Sequence, residues 1–265
     1  MAATSQIYYL TQTGLGSIAH TERLAFFNSD ATGTQSTVSS SLVLDHPQEF
    51  AVDTAAGLFF AIVSTNFDAG QGSRLIVGSL SSGAVLSTVL FDSGTSADES
   101  DDPLVFALAV DPVLHRVYVG LQDPAANAGA SGIFRYDYTP STGALGAQTL
   151  VLGSNSKPDE PGTLDIFSPS DFALDSATGN LFFVERLAGS ADVEGVWRLN
   201  VSTNTLTQIV AQTQFPDDHS AGYLNSIAVN PSTQQVYFTV HSGPAPGDPG
   251  SVSYTHLTLP TKRIV

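Results

Sequence analysis

The chain has no cysteine, which excludes disulfides, thiolate metal sites and cysteine nucleophiles. Lysine is nearly absent too: Lys157 and Lys262 are the only two, and nine Lys and Arg stand against 25 Asp and Glu, for a formal net charge of -16. So few cations cannot line a phosphate backbone, so no nucleic-acid partner is expected. The same acidity disfavours anionic lipid headgroups, and no apolar run approaches the roughly 18 residues of a membrane span, so no membrane insertion is expected. The opening Met1-Ala2-Ala3-Thr4-Ser5-Gln6 lacks the basic and apolar regions of an export signal. Charged residues are also scarce, 13% against 42% hydrophobic, which excludes general disorder and leaves a chain able to bury a core.

What the chain does have is one phrase used four times. Phe50-Ala51-Val52-Asp53 precedes Leu58-Phe59-Phe60, Leu108-Ala109-Val110-Asp111 precedes Val117-Tyr118-Val119, Phe172-Ala173-Leu174-Asp175 precedes Leu181-Phe182-Phe183, and Ile227-Ala228-Val229-Asn230 precedes Val236-Tyr237-Phe238. Self-similarity at this scale indicates stacked supersecondary units.

In the unit around Asp111, residues 105–110 read as a strand, Asp111-Pro112-Val113-Leu114-His115 as a turn and residues 116–121 as the antiparallel partner. A loop over 122–131, a strand over 132–138, the turn Pro140-Ser141-Thr142-Gly143 and a strand over 147–152 complete four strands. The same cycle fits residues 47–92 and 169–211, while residues 7–44 supply the last three strands of a unit and residues 223–243 the first two. Four-stranded antiparallel units repeated around an axis define an all-β fold, the β-propeller; a linear β-solenoid, which prefers shorter repeats, is the competing reading. About four and a half blades are expected: 7–44 (partial), 47–92, 104–152, 169–211 and 223–252 (partial).

The segment Phe172-Ala173-Leu174-Asp175-Ser176-Ala177-Thr178-Gly179-Asn180-Leu181-Phe182-Phe183 and its three counterparts resemble the blade signature of YWTD and NHL propellers, near the strictosidine-synthase and gluconolactonase-like group. The chain departs from the YWTD tetrapeptide, reading Phe-Phe-Val-Glu, Tyr-Val-Gly-Leu and Tyr-Phe-Thr-Val, so a receptor-type role is not implied. The resemblance implies six or more blades, hence a truncated chain within a longer protein; a five-bladed ring closed by the two partial units is the alternative. Residues 253–265 break the repeat and resemble translated sequencing adaptor, a non-native tail after a propeller over 1–252. Composition rich in Gly, Ser and Thr with little Lys suggests an extracellular or cell-surface protein.

Connections in an antiparallel unit alternate between its two ends, so one end receives tight turns and the other the long loops. Acids gather in the long inter-blade loops: Asp98, Glu99, Asp101, Asp102, Asp159, Glu160, Asp217 and Asp218 among them. Clustered carboxylates suit a hard cation such as Ca2+, although Asp98 to Asp102 lacks the glycine and terminal Glu of an EF-hand. Aligned repeats also place Glu49, Asp171 and Asn225 at equivalent entrances of innermost strands. Such a trio is similar to the set with which gluconolactonase-like propellers hold a divalent ion and polarise a lactone or ester. The bland alternative is polar strand ends lining a wet channel.

Other chemistry finds little footing. The chain holds no Gly-x-Ser-x-Gly, His-Glu-x-x-His or P-loop, and Gly14-Leu15-Gly16 lacks a third glycine. His219 beside Asp218 has no nucleophile near it, Asn200-Val201-Ser202 is a lone sequon, and the second-strand aromatics, Tyr237 included, read as core. The sequence therefore points to a non-enzymatic module binding a protein or glycan through its acidic loops, with calcium. A metal-dependent lactonase or esterase and a structural spacer are the alternatives.

Overall fold

The computed structural model describes residues 6–13, 21–28, 36–37, 47–63, 73–91, 104–122, 131–153, 169–185, 195–211, 223–241 and 252–258, and they hold strands and turns but no helix. Five antiparallel sheets follow one another, each with its strands in chain order. The first contains β1 (Gln6–Thr13), β2 (Thr21–Asn28) and β3 (Ser36–Thr37). The second contains β4 (Pro47–Asp53), β5 (Leu58–Val63), β6 (Arg74–Ser79) and β7 (Val85–Leu90), and the third β8 (Leu104–Asp111), β9 (Arg116–Gln122), β10 (Gly132–Asp137) and β11 (Thr149–Gly153). The fourth contains β12 (Pro169–Asp175), β13 (Asn180–Glu185), β14 (Gly195–Asn200) and β15 (Thr205–Ala211), and the fifth β16 (Tyr223–Asn230), β17 (Gln235–His241) and β18 (Val252–Thr258). Two compact units result: Met1–Leu104 with Asp137–Gly146, and Val105–Tyr136 with Ala147–Val265.

Burial explains the strand sequences. The second strands of the second, third and fourth sheets are covered on both faces, so Leu58–Val63 is buried throughout and reads as an unbroken apolar run. Fourth strands are outer edges, and Val85, Leu86 and Leu90 on β7 remain exposed. In the second unit, the face of the third sheet with Tyr118 and Ile133 packs on Phe172, Phe183 and Trp197 of the fourth. The opposite face of the fourth, with Phe182, Val184 and Val196, packs on Ile227, Val236 and Phe238 of the fifth.

The turns set the register. Four residues beyond each anchoring Asp or Asn lies a position with positive φ: Gly57 at 70°, His115 at 53°, Gly179 at 66° and Gln234 at 55°. Pairing of Asp53 with Leu58 and of Asp175 with Asn180 makes Leu58 the counterpart of Asn180, so the apolar triplet of β5 sits one residue earlier than the sequence alignment places it. Leu58 and Leu181 are interchangeable in a pattern, and only the turn distinguishes their registers.

Two further expectations change. Val252–Thr258 pairs with β17 from His241↔Val252 to Gln235↔Thr258, giving the last sheet a third strand where the repeat supplied two. Backbone pairing asks only for an extended segment, and alternating Val252, Tyr254, His256 and Thr258 provides one although it departs from the repeat. Tyr237 is not core: it is 42% exposed, and its hydroxyl donates to Gln235 Oε1 at 2.9 Å.

Two glycines separate backbone strain from crowding. A Cβ at Gly57 would meet nothing within 4 Å, whereas one at Gly78 would run into the ring of its cross-strand partner Phe59. Gly57→Ala should therefore cost only about 1 kcal/mol of unfolding free energy from the left-handed conformation. Gly78→Ala should cost clearly more, through displacement of a buried ring, as read by urea denaturation of both variants.

Candidate functional site

At the tight-turn end each anchoring side chain closes its own turn. Asp53 Oδ1 accepts from Ala56 N–H at 3.0 Å, Asp111 Oδ1 from Val113 and Leu114 N–H at 2.9 and 3.1 Å, Asp175 Oδ1 from Ala177 N–H at 3.1 Å, and Asn230 Oδ1 from Ser232 and Thr233 N–H at 3.0 and 3.3 Å. These are Asx turns, and they explain why Asp or Asn anchors every repeat.

The second carboxylate oxygen does something different. Asp53 Oδ2 accepts from Tyr138 Oη–H at 2.7 Å, and the Tyr138 ring lies 4.8 Å from that of Phe60. Tyr138 is carried there by an extra ladder rung, Tyr138↔Leu145, that lengthens the β10–β11 hairpin. The tip of that hairpin packs Gly143 against Leu86 and Val77, which is why residues 137–146 belong with the first unit. Asp175 Oδ2 likewise accepts from Gln234 Nε2–H at 3.1 Å in the next sheet, and from Thr178 Oγ1–H at 2.7 Å. Burial alone would raise the Asp175 carboxyl, but the Thr178, Gln234 and turn N–H donors outweigh it and its pKa is lowered from the ordinary 3.8. Asp111 Oδ2 is buried and accepts no hydrogen bond among the described residues; the residue of the next sheet in the place of Gln234 is Gly179, which has no side chain to offer.

Asn200 is equally committed. Its Oδ1 accepts from Ser202 and Thr203 N–H at 3.2 and 3.0 Å, and its Nδ2–H donates to Asn180 Oδ1 at 3.1 Å. The sequon asparagine is a turn cap.

The opposite end of each sheet carries the long connections, 64–73, 91–103, 123–131, 154–168, 186–194, 212–222 and 242–251. There the first strands bulge at equivalent points, between Pro47 and Glu49, between Pro169 and Asp171, and between Leu224 and Ile227. Proline at a strand start, which donates nothing to the ladder, was the visible trace of this at 47 and 169.

The three channel candidates sit at those bulges. Glu49 is half-buried on β4 in the first unit, and Asp171 and Asn225 lie in the second. Asp171 Oδ1 accepts from Phe172 N–H at 2.7 Å and Oδ2 from Ile227 N–H at 2.8 Å, so the carboxylate ties β12 to β16 two residues past Asn225. Burial raises its pKa, against the pull of the Ile227, Phe172 and Ser226 donors. The eight loop acids, Asp98, Glu99, Asp101, Asp102, Asp159, Glu160, Asp217 and Asp218, lie outside the described residues. Among the described residues no group of three His, Asp or Glu could hold a metal ion.

No protein family matches the chain, and no curated protein matches it in sequence. Solved structures do. Pseudomonas fluorescens PhoX in complex with vanadate matches at TM-score 0.59 and 13% identity over 89% of this chain and 57% of that one. Kuenenia stuttgartiensis hydrazine synthase matches at 0.52 and 9% over 89% and 56%, and a putative TolB from Agrobacterium tumefaciens at 0.52 and 12% over 90% and 73%. The chain thus spans a little over half the length of the PhoX and hydrazine synthase chains. The fold is a β-propeller built of four-stranded antiparallel blades.

Tyr138→Phe removes the donor from a buried carboxylate oxygen and should destabilise by about 1–3 kcal/mol in urea denaturation; adding Asp53→Ala should cost more, through the lost Ala56 turn bond, but less than the sum of the two single changes. Because the Asp175 pKa is lowered, its contribution is present above about pH 4 and disappears as pH falls through the folded value. Asp175→Asn should accordingly flatten the acid limb of the stability-versus-pH curve.

Proposed function

We propose that this chain is the propeller module of a larger secreted or cell-surface protein, of the YWTD/NHL-like type, that binds a protein or glycan partner through the long-loop ends of its blades. The carrying observation is the division of labour between strand ends. At the tight-turn end the Asp and Asn side chains serve their own turns and the neighbouring sheet. At the other end run the long connections, and these hold Asp98, Glu99, Asp101, Asp102, Asp159, Glu160, Asp217 and Asp218. Loops displayed by a rigid scaffold are where propellers and other superfolds carry recognition. Ca2+ is the cation these oxygen ligands suit.

A lactonase- or esterase-like hydrolase built on Glu49, Asp171 and Asn225 has less in its favour, because Asp171 already accepts backbone N–H groups on both oxygens. The experiment is calorimetric titration with CaCl2, with MgCl2 as comparison, of the wild-type chain and of a variant combining Asp98→Asn, Glu99→Gln, Asp101→Asn and Asp102→Asn. Saturable calcium uptake that the variant loses while unfolding as the wild type does is expected. Uptake unchanged in the variant, or lost instead in Glu49→Gln, moves the ion to the channel and sinks the loop-end reading.

A further inference from the structure

The outer strand of the second sheet is built differently from its counterparts. β7 reads Val85-Leu86-Ser87-Thr88-Val89-Leu90, with no charge and no proline, and Val85, Leu86 and Leu90 are 50%, 44% and 49% exposed. Register identifies the equivalent positions, because Arg74, Gly132 and Gly195 open their third strands and pair with Leu90, Gly153 and Ala211. Glycine and alanine thus stand on β11 and β15 where β7 has a half-exposed leucine. One rung along, Leu152 and Val210 are buried, whereas Val89 is only half-buried.

The backbone of β7 is open along the same stretch. Phe91 N–H donates to the Ser73 carbonyl oxygen at 2.8 Å, so the hydrogen-bonded rungs to β6 fall at Phe91, Val89 and Ser87. Thr88 and Leu90 then aim their N–H and C=O groups away from β6, and β7 ends its sheet among the described residues. Sheet edges are ordinarily blunted by charges, by proline or by a bulge. β7 has only the bulge, opposite Val77 and Gly78, and it lies before the regular rungs at 88–90.

We propose that β7 pairs antiparallel with β7 of a second copy of this chain, about a two-fold axis at Val89. Only an extended segment can answer outward N–H and C=O groups two residues apart. An axis at Val89 sets Thr88 opposite the second copy's Leu90 and Leu90 opposite its Thr88. Both outward-facing residues of each strand then exchange backbone hydrogen bonds. Charge selects the occupant. A chain of net charge -16 repels its own copies at most surfaces, and β7 is a strand where two can meet without opposing carboxylates. A cationic partner drawn to this acidic chain would find no carboxylate on β7 to pair with.

The experiment is sedimentation equilibrium in EDTA, which keeps divalent ions from bridging the loop acids. The mass should rise with concentration from that of one chain toward that of two. Association should tighten as NaCl goes from about 20 to about 200 mM, because salt screens the repulsion between copies. Thr88→Lys and Leu90→Glu should each weaken association about tenfold or more, by setting a charge against an uncharged residue. Mixing the two variants should restore it, since the axis sets each new charge opposite the other. Both side chains are exposed, and an unchanged urea midpoint confirms that the variants fold. Leu150→Lys on the outer strand β11 should leave the dimer as it is. A chain still monomeric at about 0.5 mM overturns the proposal. So does a dimer that neither variant weakens, one that salt dissociates, or one that mixing fails to restore.

Discussion

One carboxylate with two jobs holds the repeats in order. An Asp at the end of a first strand can close its own turn with one oxygen and accept from the neighbouring sheet with the other, as Asp53 does with Tyr138 and Asp175 with Gln234. A backbone turn and an inter-sheet contact are then coupled through a single side chain, and neither can shift without the other. Amide donors at 3 Å and a buried phenol at 2.7 Å are strong partners for a charge taken out of water, because the alternative is an unsatisfied carboxylate. Asn230 keeps the first job with its single carbonyl oxygen, which already serves Ser232 and Thr233.

The donors that answer the second oxygen are not themselves repeated. Tyr138 reaches Asp53 because its hairpin is one rung longer, Gln234 reaches Asp175 from the left-handed position of its own turn, and Gly179 offers nothing to Asp111. Gln234 accepts a backbone conformation that glycine would adopt without strain, and its amide is what that position supplies in return. Each junction was therefore solved locally, with the Asp as the constant part and its partner as the variable one.

That distinction accounts for what the sequence made legible. The strands, the Asx turns and the all-β propeller followed from alternation and turn chemistry, which act over a few residues. The Asp53–Tyr138 bond joins positions 85 apart, and no local pattern marks it beyond a hairpin slightly longer than its counterparts. The apolar triplets at 58 and 181 looked equivalent because apolar residues are interchangeable in a pattern, while the register is set by the turn preceding them. Asp171 was legible as a carboxylate at a strand entrance, yet its use depends on how closely β16 passes, a matter of packing. Trp197 is a packing residue on β14, 1% exposed.

A fold that fixes its sheets at one strand end is free to vary the other. Changes at the tight turns touch a side chain shared by two sheets, so they carry both a local and an inter-sheet cost. The long connections begin beyond the last ladder rung, past bulges that have already released the first strands from regular pairing. Length and charge can change there without disturbing Asp53 or Asp175, and that is where the acids have accumulated. Charge of one sign gathered on loops raises the local concentration of cations and cationic partners while leaving the apolar core untouched. The uneven distribution of acids along the chain is thus a consequence of where the fold can tolerate them.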